Sequence, residues 1–158
     1  MNDKQVFEHL FLIASQSKDP RGIVAACLVS NNEIIASAAS SDDGILHAED
    51  ILFQEVQERS VAVPQGSTLY ATLIPCSKRT TPGMVDCVSP IVSNKISSVV
   101  YGASDPDQAV LTKERLSQAG IRLRQVSDSE IIKRCAEIFN ASVTEEHRNT
   151  DVKLKPTE

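Results

Sequence analysis

His47, Glu49, Cys76 and Cys87 are the side chains of this chain whose types and spacing suit metal chemistry. One imidazole and two thiolates supply three protein ligands for zinc and leave a fourth position open for water. Such a site is close to neutral overall, and the metal draws the pKa of its bound water down to roughly 7. Glu49, two residues beyond His47, then suits a proton shuttle beside that water better than a further ligand. His-x-Glu alone arises often by chance, and Cys76 and Cys87 also read as two buried reduced thiols, the common state of an intracellular cysteine. Placement favours the metal. Each half of the pattern opens an expected helix straight after an expected strand or its loop, and Pro75-Cys76 closes the run of residues 67–74. Helix starts aim free N–H groups and a positive dipole end at a site, which favours thiolate over thiol. Cys27 and Cys135 fall in an apolar run and on an apolar helix stripe, and both read as core.

The elements that must position these residues follow from periodicity. Asp3 is suited to cap a first helix with Val6, Phe7, Leu10, Phe11, Ile13 and Ala14 on one face. Residues 23–29 form a continuous apolar run, the mark of a strand covered on both faces. Asn31-Asn32 predicts a hairpin turn, since both tolerate positive φ, and residues 33–38 return as the antiparallel partner. Asp43 is placed to cap a helix beginning near His47, with Ile51, Leu52 and Val56 inward and Glu55, Gln57 and Glu58 outward. Residues 68–74 make the third strand, which delivers Cys76 at its carboxyl end, where open α/β sheets bind ligands. Residues 77–86 form a loop, and Cys87 opens a helix that tolerates Pro90 in its first turn. A fourth strand is expected over residues 96–101 and a helix over 110–118, stopped by Gly120. Residues 121–126 alternate as an edge strand does. Ser127 and Glu130 have capping-box spacing for a last helix to about Val143. The order α-β-β-α-β-α-β-α-β-α implies a five-stranded mixed sheet sandwiched by helices, an α/β fold. The two helices that carry the metal ligands are expected side by side. Residues 1–143 are expected to form one domain, with a disordered tail over 144–158.

Composition narrows the partners. The net charge is −5, from 16 basic and 21 acidic residues, and no basic run exceeds two residues. Nucleic acid is therefore not an expected partner, because phosphate neutralisation supplies most of that affinity. There is no Trp, and every Phe and Tyr lies in an apolar periodic segment, which leaves no stacking platform. The longest apolar run, residues 23–29, is too short to span a bilayer, and the N-terminus lacks the pattern of a signal peptide. Cysteines spaced for metal fit a reducing compartment, so the expected location is cytoplasmic.

His47-Ala48-Glu49 followed by Pro75-Cys76 and Cys87 is similar to the His-x-Glu and Pro-Cys-x-x-Cys signature of zinc nucleobase deaminases, with ten residues between the cysteines instead of two. With residues 69–79, 101–106 and 119–121, the chain resembles the cytidine-deaminase-like zinc deaminases, and among them the pyrimidine deaminases of riboflavin biosynthesis. The likeness covers roughly residues 20–126 and includes the widened inter-cysteine loop of that branch. It implies a three-layer α-β-α sandwich, zinc held by His47, Cys76 and Cys87, and Glu49 as the proton shuttle. The implied reaction replaces a ring amino group of a ribosylaminopyrimidinone 5′-phosphate with oxygen and releases ammonia. Ala48, Ser77, Lys78, Arg79 and Arg21 are the residues expected against this small-molecule pyrimidine nucleotide. Lys78-Arg79 suits its phosphate, although such a pair equally reads as a solvated loop. Arg21 stands where many members place an Asn, Ile74 where they have Glu, Ala25 where Gly is common, and residues 110–113 replace a Gly-rich segment. These departures bear on the substrate more than on the metal. No reductase domain is expected, so any reduction is expected to fall to another protein, and relatives' habits imply a homodimer. Two other readings stand beside this one. The first is a deaminase of another nucleobase, nucleoside, nucleotide or tRNA. The second is a zinc-stabilised scaffold without catalysis, against which Glu49 argues, since a structural site needs no proton shuttle.

Overall fold

A computed structural model describes residues 1–79 and 82–145. Within it the order is α1 (Asp3–Ala14), β1 (Ala25–Ser30), β2 (Glu33–Ala39), α2 (Ala48–Glu58), β3 (Thr68–Leu73), α3 (Val88–Ser93), β4 (Ser98–Ala103), α4 (Pro106–Gln118), β5 (Arg122–Gln125) and α5 (Ser129–Ser142). The five strands form one sheet in the order β2-β1-β3-β4-β5. β1 runs antiparallel to β2 and β3, while β3, β4 and β5 are parallel to one another. The mixed sheet and the element order expected from sequence are both present.

Period-two alternation divides the core into two halves. Ala26, Leu28, Leu69, Ala71 and Val99 face α2, α3 and α4, which contribute Leu52, Phe53, Val56, Val88, Ile91 and Leu116. Ala25, Cys27, Tyr70 and Val100 face α1 and α5, which contribute Phe7, Leu10, Phe11, Ile132 and Cys135. The result is three layers, with α2 and α3, which begin at His47 and Cys87, on the same face of the sheet. Cys27 and Cys135 are core residues, and burial pushes each thiol up to about 12.

Several boundaries differ from expectation for identifiable reasons. Asn2, not Asp3, caps α1, accepting from Gln5 N while the Gln5 side chain returns to Asn2 N, both at 2.9 Å. Asp3 instead takes Arg124 and Tyr70. β1 starts two residues late, because Ile23 N and Val24 N donate to the hydroxyls of Ser142 and Ser40 and not to a strand. Asp43 does not cap α2; it closes its own turn with Ser41 Oγ and Ile45 N, and His47 occupies the N-cap. β4 is displaced by two residues, since Ile96 N closes the end of α3 onto Ile91 O. α4 begins four residues early, with Asp105 accepting from Asp107 N ahead of Pro106. Asp128 takes the cap expected of Ser127. The Asn31-Asn32 turn has φ of 49° and 65°, as its residue types demand. At the start of the expected tail, Thr144 N donates to Pro20 O at 2.9 Å, and residues 146–158 lie outside the described residues.

Candidate metal centre

His47, Cys76 and Cys87 come from three elements and meet at one edge of the sheet. His47 is the N-cap of α2, and its carbonyl accepts from Ile51 N at 3.3 Å. Cys76 follows the end of β3, and Cys87 is the N-cap of α3. The first turn of α3 has N–H groups with no intrahelical acceptor. They go to the other cysteine: Cys87 N and Val88 N each lie 3.1 Å from Cys76 O, and Cys87 N lies 3.3 Å from Cys76 Sγ.

His47 Nδ1 lies 3.3 Å from Cys87 Sγ and 3.6 Å from Cys76 Sγ, and the three ligand atoms all fall within 4.8 Å of one another. Zinc–sulfur and zinc–nitrogen bonds of about 2.3 and 2.0 Å at a tetrahedral angle put N and S about 3.5 Å apart. The triad is spaced for one ion. Its protonation fits the same conclusion: the neighbouring Cys87 side chain and His47 hold the Cys76 thiol low against burial, and Cys87, beside Cys76 and buried, is driven high. Each sulfur pulls the other's titration in the opposite direction, and a bound cation needs both bare.

Glu49 is 3% exposed, and its Oε1 accepts no hydrogen bond among the described residues. Burial pushes its carboxyl up to about 7, with His47 pulling it down and Cys76 pushing it further up. A buried carboxyl oxygen left unbonded beside a ligand triad is costly unless a further group comes to it. That orphan and the two-sulfur, one-nitrogen donor set together fit a zinc centre with a water.

The residues expected against substrate separate into two groups. Ala48 is fully buried in the first turn of α2. Ser77 donates from N and Oγ to Gln108 Oε1 at 2.8 and 3.1 Å, so its hydroxyl is held by α4. Arg79 is not the exposed phosphate ligand expected: its side chain is 2% exposed and paired with Asp50. The polar loop composition concealed this, because two acceptors from distant segments, Asp50 and Ile45, and one from its own loop, Val85, hold the guanidinium. Lys78 and Arg21 are exposed and make no ion pair among the described residues. Arg21 lies over Gly44 in the loop leading to His47.

Sequence reasoning missed the supports of the centre. Thr112 Oγ1 donates to Pro75 O at 2.8 Å, Gln108 holds the Ser77 and Lys78 N–H groups, and Arg115 ties Ser77 O to Asp86. Only Asp50 carried a signal. It stands at N3 after His47, a capping-box position, and Asp50 Oδ2 accepts from His47 N at 2.8 Å.

Comparison with known proteins agrees with this geometry. Over 102 residues the chain is 33% identical to the diaminohydroxyphosphoribosylamino-pyrimidine deaminase of Schizosaccharomyces pombe, covering 62% of this chain and 25% of that protein. It is 28% identical over 162 residues to the riboflavin biosynthesis protein RibD of Aquifex aeolicus, covering 98% and 43% respectively. The chain thus spans less than half the length of these curated relatives. The fold matches the Aspergillus oryzae Rib2 deaminase in complex with DARIPP at a TM-score of 0.76 and 21% identity, over 94% of this chain and 96% of that one. Residues 1–103 match the model of the cytidine and deoxycytidylate deaminase zinc-binding region, and the chain belongs to that zinc-binding family.

Proposed function

We propose that this chain is a zinc-dependent hydrolytic deaminase whose substrate is a ribosylaminopyrimidinone 5′-phosphate of riboflavin biosynthesis. The observation that carries the reading is the convergence of His47 Nδ1, Cys76 Sγ and Cys87 Sγ within 4.8 Å beside the buried, unbonded Oε1 of Glu49. Zinc, when bound, supplies the Lewis acidity that makes an activated water available near neutral pH. Glu49 Oε1 holds the proton of that water, passes it to a ring nitrogen, and serves again as the amine leaves as ammonia. Hydrolysis balances without another reactant: water enters, a ring carbonyl and ammonia result. Lys78, two residues beyond Cys76, and Arg21, over the loop leading to His47, are exposed cations offered to a substrate phosphate.

The names of the S. pombe and A. aeolicus relatives support the riboflavin branch. The description of the matched family favours a second reading, a cytidine or deoxycytidylate type of substrate. A tRNA substrate is disfavoured by the net charge of −5. The reading includes a homodimer, supported by exposed Val61 and Val85 beside Phe53 and Pro90 in one groove between α2 and α3. It also includes a reducing, cytoplasmic location, supported by four free cysteines. No helix of the described residues is long and apolar enough to cross a membrane. The deciding experiment is ammonia release by purified, zinc-loaded protein on aminopyrimidine ribosyl phosphates, cytidine, deoxycytidylate and tRNA. Turnover of the first class alone is expected; preferential turnover of cytidine or deoxycytidylate establishes the second reading instead.

A further inference from the structure

One guanidinium reaches the segments that carry all three metal ligands. Arg79, three residues beyond Cys76, donates from Nη1 to Asp50 Oδ2 at 2.6 Å and to Val85 O at 3.1 Å, and from Nη2 to Ile45 O at 2.7 Å. Ile45 stands two residues before His47, and Val85 two residues before Cys87. The same Asp50 Oδ2 accepts the backbone N–H of His47 at 2.8 Å, so the ion pair runs directly into the residue that presents the imidazole. With 2% of the side chain exposed, the fork is closed to a substrate phosphate.

We propose that Arg79 and Asp50 are a positioning pair that fixes the three ligand-bearing segments relative to one another and so sets the geometry of the metal centre. The need follows from chain length. Ten residues separate the cysteines, and a loop that long has many conformations in which the sulfurs are too far apart to share an ion. A planar guanidinium with five donors in fixed directions selects the one in which Val85, Ile45 and Asp50 all lie in its plane of reach. A lysine carries the same charge but has no fork. Partners behind first ligands of this kind change metal affinity about 10–100-fold when lost.

The proposal rests on the functional reading only in that the triad binds metal, and its test needs no turnover. Zinc affinity is measured by chelator competition, and the cobalt(II)-loaded protein is examined for its thiolate charge-transfer and ligand-field bands. Wild-type protein that takes up neither metal sinks the metal-site reading itself, before any variant is compared. Arg79→Lys is expected to fold, to bind zinc about 10–100-fold more weakly, and to show shifted and weakened cobalt bands. Asp50→Asn, which keeps the volume, is expected to do the same, and the double variant to lose little more than either single one. Inorganic phosphate binding should be unchanged. Arg79→Lys with wild-type zinc affinity and cobalt spectrum overturns the proposal, as does a loss confined to phosphate binding. If Arg79→Lys does not fold, Asp50→Asn decides by the same two readings. Failure of both to fold makes the pair a stability device and also overturns it.

Discussion

The backbone N–H of Cys87 points at the sulfur of Cys76 across 3.3 Å, so the start of α3 both carries one sulfur and favours the thiolate of the other. Replacing the Cys87 side chain therefore takes away one sulfur of the proposed centre while leaving the backbone contact to Cys76. Cys87→Ala is expected to fold and to fall well below one zinc per chain after dialysis against a weak chelator, where the parent keeps one. Full zinc occupancy in the variant by metal analysis removes Cys87 from the centre.

Lys78 and Arg21 are exposed, whereas Arg79 is buried in its ion pair. Lys78→Ala and Arg21→Ala are expected to raise KM for a 5′-phosphorylated substrate about tenfold each, the loss of one charge-assisted contact, with kcat nearly unchanged. The same variants should leave KM for the dephosphorylated compound alone. Equal effects on both compounds assign the phosphate elsewhere.

Gly22 and Gly120 both have positive φ, of 124° and 74°, but their surroundings differ. A Cβ at Gly22 meets the Phe139 ring at 2.3 Å, while one at Gly120 meets nothing within 4 Å. Gly120→Ala should cost about 1 kcal/mol, from backbone strain alone. Gly22→Ala adds overpacking worth about 1–3 kcal/mol and displaces α5. Urea denaturation of both variants checks this; equal midpoints contradict the ring contact.

The Asp3 carboxyl is held below the usual carboxylate range, first by its hydrogen bond from Arg124 and then, against burial, by the charge of Arg124 and the hydroxyl of Tyr70. Its folded pKa is thus lower than its unfolded one. The stability it contributes is full above the unfolded value, about 3.9, and is lost as pH falls through the folded value. Arg124 is half exposed, so the pair is worth on the order of 1 kcal/mol or less. Asp3→Asn should be slightly less stable than the parent at pH 7 and should approach it near pH 2. A deficit that widens with acid reverses the sign and refutes the coupling.

Element order and the meeting of His47, Cys76 and Cys87 were legible in the sequence because each rests on local signals. Apolar runs and stripes report burial directly, and His47, Cys76 and Cys87 are few and distinctive. Boundaries moved where a side chain or loop took a backbone group out of competition, as Ser142 and Ser40 do for Ile23 and Val24. The role of Arg79 was not legible. A charged residue in a polar loop has no periodicity to mark it as buried, and its partners Ile45 and Asp50 are brought to it only by the fold, while Val85 reaches it by the turn of their shared loop. Asp50 was half legible, since His47-x-x-Asp50 has the spacing of a capping box even though the cap is a histidine.

Glu49 separates a catalyst from a scaffold. Its carboxyl is buried against the triad with one oxygen unbonded among the described residues, and burial pushes its pKa up to about 7. Gln fills the same volume and removes a buried charge, so Glu49→Gln should fold and bind zinc as the parent does. An amide has no carboxylate proton to exchange, so ammonia release should fall. General acid–base assistance is worth on the order of 10²–10⁴ in rate, and Glu49 is assigned more than one proton transfer, so the loss should reach at least that range. A scaffold that needs no proton predicts no difference between the two proteins. Parent and variant are compared at matched zinc content, on whichever substrate the panel identifies. Activity within tenfold of the parent removes Glu49 from the proton path, and a parent that turns over nothing in the panel while holding its zinc favours the scaffold.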